Sequence, residues 1–258
     1  MSIYKAYDIR GIYGEDLTQK EAYLFGYYLV KFTSIDKIKI SHDLRNSYMP
    51  LTKFLIQGLI DANCEVIYLG ENSTPSFYYS LFHGINTGIM ITASHNAKEY
   101  NGFKTVISGD SLDSTNGLFE VEKLAKKDSE NKLNDFNLIK ESIEKENFFD
   151  FLTEREIEKS NDVKDYVTYL RDFYDRTLTE DEKNVLESIK FTLDLSSGVS
   201  GLTIPNLAQA LRFRVNLINH IPDGNFPNHS PDPLKARLYK KFKSKEYFFH
   251  SSIWWRRR

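Results

Sequence analysis

The feature that most constrains the fold is an alternation of short apolar runs with longer amphipathic segments across the first hundred residues. Apolar runs typical of strands occupy residues 37–41, 65–70 and 87–92, and apolar residues at helical spacing occupy 21–32, 51–62 and 75–82. This rhythm is typical of βαβ units, in which helices cover a sheet. The sequence therefore predicts an α/β fold with ligand-binding groups in the loops at the strand ends.

Composition indicates a globular chain. It has 258 residues, of which 41% are hydrophobic and 14% aromatic, enough for one or two domains with substantial cores. The single cysteine, Cys64, excludes an internal disulfide and a thiolate metal cluster. No apolar run approaches the roughly 20 residues of a membrane span, and the N-terminus has no apolar signal region. We expect a cytoplasmic protein with no membrane partner.

Basic residues are concentrated at the end of the chain. Residues 1–234 carry 25 Lys and Arg against 35 Asp and Glu, whereas residues 235–258 carry nine against one and hold both tryptophans. Cations interleaved with aromatic rings can bind nucleic acid, and this alternative stays open. The abrupt change in composition favours a different interpretation, a tail that is out of frame or non-native, so nucleic acid is not the expected partner.

Residues 92–104 contain one Ser, one His, two Asn and two Lys, and they directly follow an apolar run. The dipeptide Asn101–Gly102 predicts a turn that would fold Lys104 back towards Ser94. The surroundings of Ser94 lack the Gly-x-Ser-x-Gly elbow of hydrolases, and the P-loop pattern is absent. The residues alone leave two alternatives, a solvated hairpin-like loop and a phosphate-binding loop.

Two motifs resemble the α-D-phosphohexomutases, the phosphoglucomutase/phosphomannomutase family. Residues 92–96 with 100–104 are similar to the family's active-site serine loop, and residues 7–11 are similar to its N-terminal motif. Weaker similarities lie at residues 42–47, 74–75, 191–201 and 222–234. Ala97 stands where the family usually has proline, so the loop lacks the fixed φ of that residue.

The resemblance implies a domain organisation. We expect a three-layer αβα domain with a mixed sheet over residues 1–160 and an incomplete second domain of the same type over residues 161–234. The basic aromatic tail, residues 235–258, lies outside the similarity. The charged segment 120–164 is predicted to form helices that close the first domain, ending in a polar junction at residues 158–162.

The resemblance also implies an activity. Family members interconvert hexose 1-phosphate and hexose 6-phosphate through a phosphoserine and a bisphosphate intermediate, with Mg²⁺ as cofactor and hexose 1,6-bisphosphate as activator. Ser94 would carry the phosphoryl group and bind the metal through its phosphate, and Lys104 would transfer a proton. The implied site residues are Ser94, Lys104, His95 and Arg10 for catalysis, and Tyr7 and Asn96 for binding the phosphosugar substrate.

Structural roles compete with these assignments. Lys104 could be an ordinary solvated lysine, His95 could hydrogen-bond within its loop, and Arg10 could brace the sheet. For the polar residues at 42, 43 and 45, a structural network between loops is favoured over direct catalysis.

The family's acidic metal loop, sugar-selecting loop and C-terminal phosphate loop have no counterpart in this sequence. We therefore predict that the chain alone is an inactive mutase fragment, with a noncatalytic phosphosugar-binding fragment as the alternative. The codons for residues 254–258, read one nucleotide later, can encode Gly-Gly-Asp-Asp, which resembles the missing metal loop. This reading favours a frameshift as the origin of the tail.

Overall fold

The computed structural model describes residues 2–127, 129–232 and 247–250. The strands are β1 (Ile9–Ile12), β2 (Lys37–His42), β3 (Glu65–Glu71), β4 (Gly88–Ile91), β5 (Tyr100–Ile107), β6 (Asp110–Ser111), β7 (Glu158–Lys159), β8 (Lys190–Asp194), β9 (Arg214–Ile218) and β10 (Tyr247–His250). The helices are α1 (Gln19–Thr33), α2 (Tyr48–Asp61), α3 (Thr74–Leu81), α4 (Leu118–Lys127), α5 (Ser129–Lys145), α6 (Phe148–Glu154), α7 (Tyr166–Thr177), α8 (Glu180–Ser188) and α9 (Ile204–Ala210), with a 3₁₀ turn at Val199–Leu202. The six elements predicted before residue 93 are confirmed, with small shifts at their ends.

The first compact unit comprises residues 1–93 and 99–162 and is built on a mixed sheet. Its strand order is β1-β5-β4-β2-β3-β7, with β6 paired to β5. The neighbours β4, β2, β3 and β7 pair in parallel, whereas β5 runs antiparallel to both β1 and β4. The short strand β7 lies inside the segment predicted as a polar junction and extends this sheet instead.

Alternation along the strands separates two apolar cores. On β4, Ile89 and Ile91 belong to the larger core with α1 and α2, while Met90 belongs to a smaller core with Phe77 and Leu81 of α3. Successive strand residues point to opposite faces, so helices cover both faces of the sheet. The predicted three-layer αβα architecture is confirmed.

Two buried lysines fix helix ends in this unit. Lys39, 1% exposed, donates to the carbonyl oxygen of Ser80 at the end of α3 at 2.7 Å and pairs with Asp162 at 2.7 Å. Lys53 donates to the carbonyl oxygen of Glu146, beyond the end of α5, at 2.8 Å. Helix C-termini present carbonyl groups with no intrahelical partner and carry partial negative charge, so these ammonium groups satisfy and neutralise them.

The second compact unit comprises residues 94–98 and 163–258. Its described part contains a parallel sheet in the order β10-β8-β9. At the end of β8 the buried carboxylate of Asp194 accepts from Asn219 Nδ2 and lies within hydrogen-bond distance of His229 Nε2, each at 3.0 Å. The segment after Pro222 is thereby tied to the sheet. Most of the basic tail, residues 235–246 and 251–258, lies outside the described residues, so its origin stays a prediction.

One local prediction is wrong. Asn101 and Gly102 do not form a turn but lie inside β5, where both pair with β1, and the carbonyl oxygen of Gly102 accepts from Thr92 N just beyond β4. A Cβ atom on Gly102 would come closer than 3.0 Å to the carbonyl oxygen of Ile9 on β1. The glycine is therefore required for the close approach of β1 and β5. Asn-Gly is also common in turns, so the dipeptide alone does not distinguish the two structures.

We predict that Gly102→Ala destabilises the first unit, because the added methyl group forces β1 away from β5. The expected loss in the free energy of unfolding is about 3 kcal/mol, at the upper end for overpacking. Urea unfolding followed by circular dichroism measures it. Gly84→Ala is the matched control, since Gly84 has φ +80° but open space around its missing Cβ, and its expected cost is only about 1 kcal/mol. Equal losses in the two variants would contradict the close-approach explanation.

Candidate functional site

Ser94 lies in the loop that joins β4 to β5. Its φ is +62°, in the left-handed region where residues other than glycine are uncommon. The segments that flank the loop are fixed by backbone hydrogen bonds, from Thr92 N to the carbonyl oxygen of Gly102 and from Tyr13 N to that of Glu99, each at 2.9 Å. A strained conformation held between fixed ends is typical of residues that meet a ligand.

Other predicted site residues lie around the same loop or before β1. His95 Nδ1 is 3.3 Å from Ser94 Oγ, so these two predicted groups form a hydrogen-bonded pair. Asn96 follows in the same loop and is partly buried. Tyr7 precedes β1 and is 79% exposed, which leaves its ring accessible to a ligand.

Arg10 and Lys104 meet through a carboxylate. Asp8 Oδ2 accepts from Arg10 Nη2 at 2.5 Å and from Lys104 Nζ at 3.0 Å. The Asp8 side chain is 9% exposed, so the cluster is largely shielded from water. Lys104 is therefore not an ordinary solvated lysine.

The strand register explains this cluster. Ile9 pairs with Phe103 in the antiparallel ladder between β1 and β5, so Asp8 stands opposite Lys104. Ile9 and Phe103 point into the larger core, and alternation turns Asp8, Arg10 and Lys104 to the face covered by α3. Burial, and after it the charge of Asp8, raises the pKa of Tyr78 on α3, in agreement with this placement.

A buried ion pair anchors the loop ends. Asp43 accepts from the backbone N–H and from Nε of Arg45, at 3.0 and 3.2 Å, and Arg45 Nη1 donates to the carbonyl oxygen of Tyr100 at 2.9 Å. Thr92 Oγ1 donates to Asp43 Oδ2 at 2.6 Å. The ends of β2 and β4 and the start of β5 are thus joined. The network between loops predicted for Asp43 and Arg45 is therefore present, and the absence of a direct catalytic role stays a prediction.

His42 belongs to the same buried layer. Its Nδ1 lies 2.7 Å from the carbonyl oxygen of Asp43. A carbonyl oxygen can only accept a hydrogen bond, so Nδ1 carries the proton. The other ring nitrogen, Nε2, therefore accepts from the Tyr68 hydroxyl at 2.7 Å. The ring stacks on Tyr48 with centroids 3.9 Å apart. Burial lowers the pKa of His42 to about 4. The imidazole is a neutral structural group, as the structural interpretation predicted.

We predict that His42 makes stability depend on pH. The folded-state pKa of about 4 lies below the ordinary value near 6.5, so the unfolded chain binds the proton first as pH falls. His42 therefore lowers the free energy of unfolding between about pH 6.5 and 4, by up to about 3 kcal/mol at 1.4 kcal/mol per pKa unit. Urea unfolding at a series of pH values measures this, and His42→Gln should flatten the dependence over that window. The control is His83→Gln, at an exposed histidine of the same unit; parallel curves for His42→Gln and the wild type would contradict the assignment.

Sequence reasoning misses Asp8, although it lies inside the N-terminal motif. The i, i+2 spacing of Asp8 and Arg10 on one strand is a signal that they share a face. The partner strand is the missing information, because only the pairing of β1 with β5 brings Lys104 to that face.

The described residues do not by themselves form a metal site. Among them no group of three or more His, Cys, Asp and Glu side chains is arranged to hold an ion. The predicted Mg²⁺ site therefore stays a prediction. Likewise, no described helix has both the length and the apolar composition needed to cross a membrane.

Comparison with known proteins places this fold and serine loop in a family. Residues 1–132 match the family described as phosphoglucomutase/phosphomannomutase, alpha/beta/alpha domain I. The chain is 32% identical over 245 residues to the phosphomannomutase/phosphoglucomutase of Pseudomonas aeruginosa, covering 93% of this chain and 46% of that protein. It is 33% identical over 247 residues to a phosphomannomutase of Escherichia coli K12, covering 91% and 48%.

Comparison with solved structures gives the same family. A phosphoglucomutase/phosphomannomutase family protein from Burkholderia thailandensis superposes with a TM-score of 0.67 at 26% identity, covering 92% of this chain and 48% of that one. The chain belongs to the phosphoglucomutase/phosphomannomutase family. It spans about half the length of the curated relatives that it matches.

Proposed function

We propose that this chain provides the phosphoserine part of a phosphohexomutase, an enzyme that interconverts hexose 1-phosphate and hexose 6-phosphate. The observation that carries the proposal is Ser94, held at φ +62° in the family's serine loop and hydrogen-bonded to His95. The described residues also place two cationic groups, Arg10 and Lys104, on one carboxylate. Such groups suit a phosphorylated substrate.

The proposed chemistry is transfer of a phosphoryl group to and from Ser94. In the loading direction, Ser94 Oγ forms a bond to phosphorus, the bond from phosphorus to the sugar oxygen breaks, and the proton lost from Oγ balances the one gained by that oxygen. His95 orients the hydroxyl, and Lys104 is the proposed proton-transfer group. Negative charge spreads over the phosphoryl oxygens during transfer, and fixed cations stabilise it.

Mg²⁺ and hexose 1,6-bisphosphate belong to the same proposal as cofactor and activator. The described part of the chain would offer the ion the phosphate oxygens on Ser94. A hexose phosphate is the proposed substrate, and Tyr7 and Asn96 are the proposed contacts to it.

A noncatalytic phosphosugar-binding role is the second candidate. It is favoured by one observation: the described residues combine clustered cations with no group of metal-ligating side chains. Such a chain would bind the sugar phosphate without transferring its phosphoryl group.

We predict that Ser94 becomes phosphorylated when the chain is incubated with glucose 1,6-bisphosphate and Mg²⁺. Intact-mass spectrometry should detect the gain of one phosphoryl group, and peptide mapping should place it on Ser94. Ser94→Ala should abolish the gain. Ser108→Ala is the matched control, because Ser108 is an exposed serine with φ +52°, and it should leave the gain unchanged.

A coupled assay with glucose 1-phosphate and mannose 1-phosphate separates the two candidates further. We expect phosphorylation of Ser94 without net interconversion by this chain alone. Binding of the sugar phosphate with no phosphorylation under any of these conditions would favour the noncatalytic role.

A further inference from the structure

One carboxylate oxygen holds both cations of the candidate site. Asp8 Oδ2 is the acceptor for Arg10 Nη2 at 2.5 Å and for Lys104 Nζ at 3.0 Å. The three side chains are 9%, 23% and 19% exposed, respectively. Water screens such a cluster less than it screens surface ion pairs, so the charges interact strongly.

The three charged groups of this cluster do not balance one another, because two positive groups share one negative group. Nearby, the positive charge of Arg10 and, after it, the negative charge of Glu99 act on Arg45. Arg45 already has its own carboxylate in Asp43. The cluster of Asp8, Arg10 and Lys104 therefore carries a net positive charge that favours a further anion.

The geometry on Asp8 Oδ2 is that of an oxyanion bound by two cations. An oxygen of a phosphomonoester offers the same acceptor with more negative charge.

We propose that Asp8 is a resident counter-anion: it positions Arg10 and Lys104 while no ligand is bound and yields at least one of them to an incoming phosphomonoester dianion. The inference deepens the proposed function and rests on it for the identity of the phosphate. Asp8 does not contact the reacting atoms in this scheme. It is a positioning residue that competes with the ligand.

The inference predicts opposite effects on binding and on transfer. Asp8→Asn keeps the size of the side chain and one acceptor oxygen but removes the competing charge, so phosphate should bind more tightly. The same change removes the ion pair that positions Lys104, so phosphorylation of Ser94 should become slower. Loss of a purely structural residue would weaken both.

The deciding experiment is a titration of the full chain with inorganic phosphate at low ionic strength, by isothermal calorimetry and by NMR. We expect Asp8→Asn to bind phosphate with a Kd about tenfold lower than the wild type, the order of one charge interaction in a partly shielded site. Lys104→Met added to Asp8→Asn should reverse the gain. Asp110→Asn, the same charge change at an exposed residue of β6, is the matched control and should leave the Kd unchanged.

The inference is overturned if Asp8→Asn binds phosphate no more tightly than the wild type, or if neither binds it. A second measurement uses the wild type, so it does not depend on whether the variant folds. The Lys104 Nζ resonance, assigned by its loss in Lys104→Met, should shift when phosphate is added. A resonance that does not shift would also overturn the inference. Inorganic phosphate does not serve as the phosphoryl donor, so these results are independent of whether Ser94 is phosphorylated. Failure of the mutase proposal would appear only in the phosphorylation assay.

Discussion

The close pairing of β1 with β5 is the constraint on which the candidate site depends. At Gly102 the two backbones approach so closely that a Cβ atom has no room, and this fixes the register that sets Asp8 opposite Lys104. A shift of β1 by one residue would turn Ile9 out of the core and carry Asp8 and Arg10 into it, because Phe103 is held in place by the pairing of β5 with β4. The apolar core on one face thus enforces the charge cluster on the other.

Buried polar groups then hold the loops at the strand ends. Asp43 and Arg45 are buried together and bond to the segments on both sides of the serine loop, through Thr92 and the carbonyl group of Tyr100. Removing one partner of such a pair leaves an uncompensated charge in a medium of low dielectric constant. The network therefore favours one arrangement of the two chain segments that flank the serine loop.

Charge is distributed differently in the two polar layers. In the structural layer, each charged or polar group is matched: Asp43 with Arg45, and neutral His42 between a carbonyl group and the Tyr68 hydroxyl. At the candidate site, Asp8 faces two cations. Arg10 thus shares its carboxylate with Lys104, whereas Arg45 pairs with Asp43. Under the proposal, this difference separates an arginine that meets the ligand from one that holds the fold.

The sequence by itself determined the αβα class, most element positions before residue 93, and the serine loop, because apolar periodicity and local motifs are properties of neighbouring residues. It also indicated that Asp43 and Arg45 are structural. It misassigned Asn101–Gly102, since a glycine that permits a turn and one that permits close strand packing look alike in one dimension. Only the tertiary structure placed Asp8 between Arg10 and Lys104 and identified the tautomer of His42. Both depend on groups distant in sequence, brought together by antiparallel pairing of β1 with β5 and parallel pairing of β2 with β3, and no local pattern encodes which strands pair.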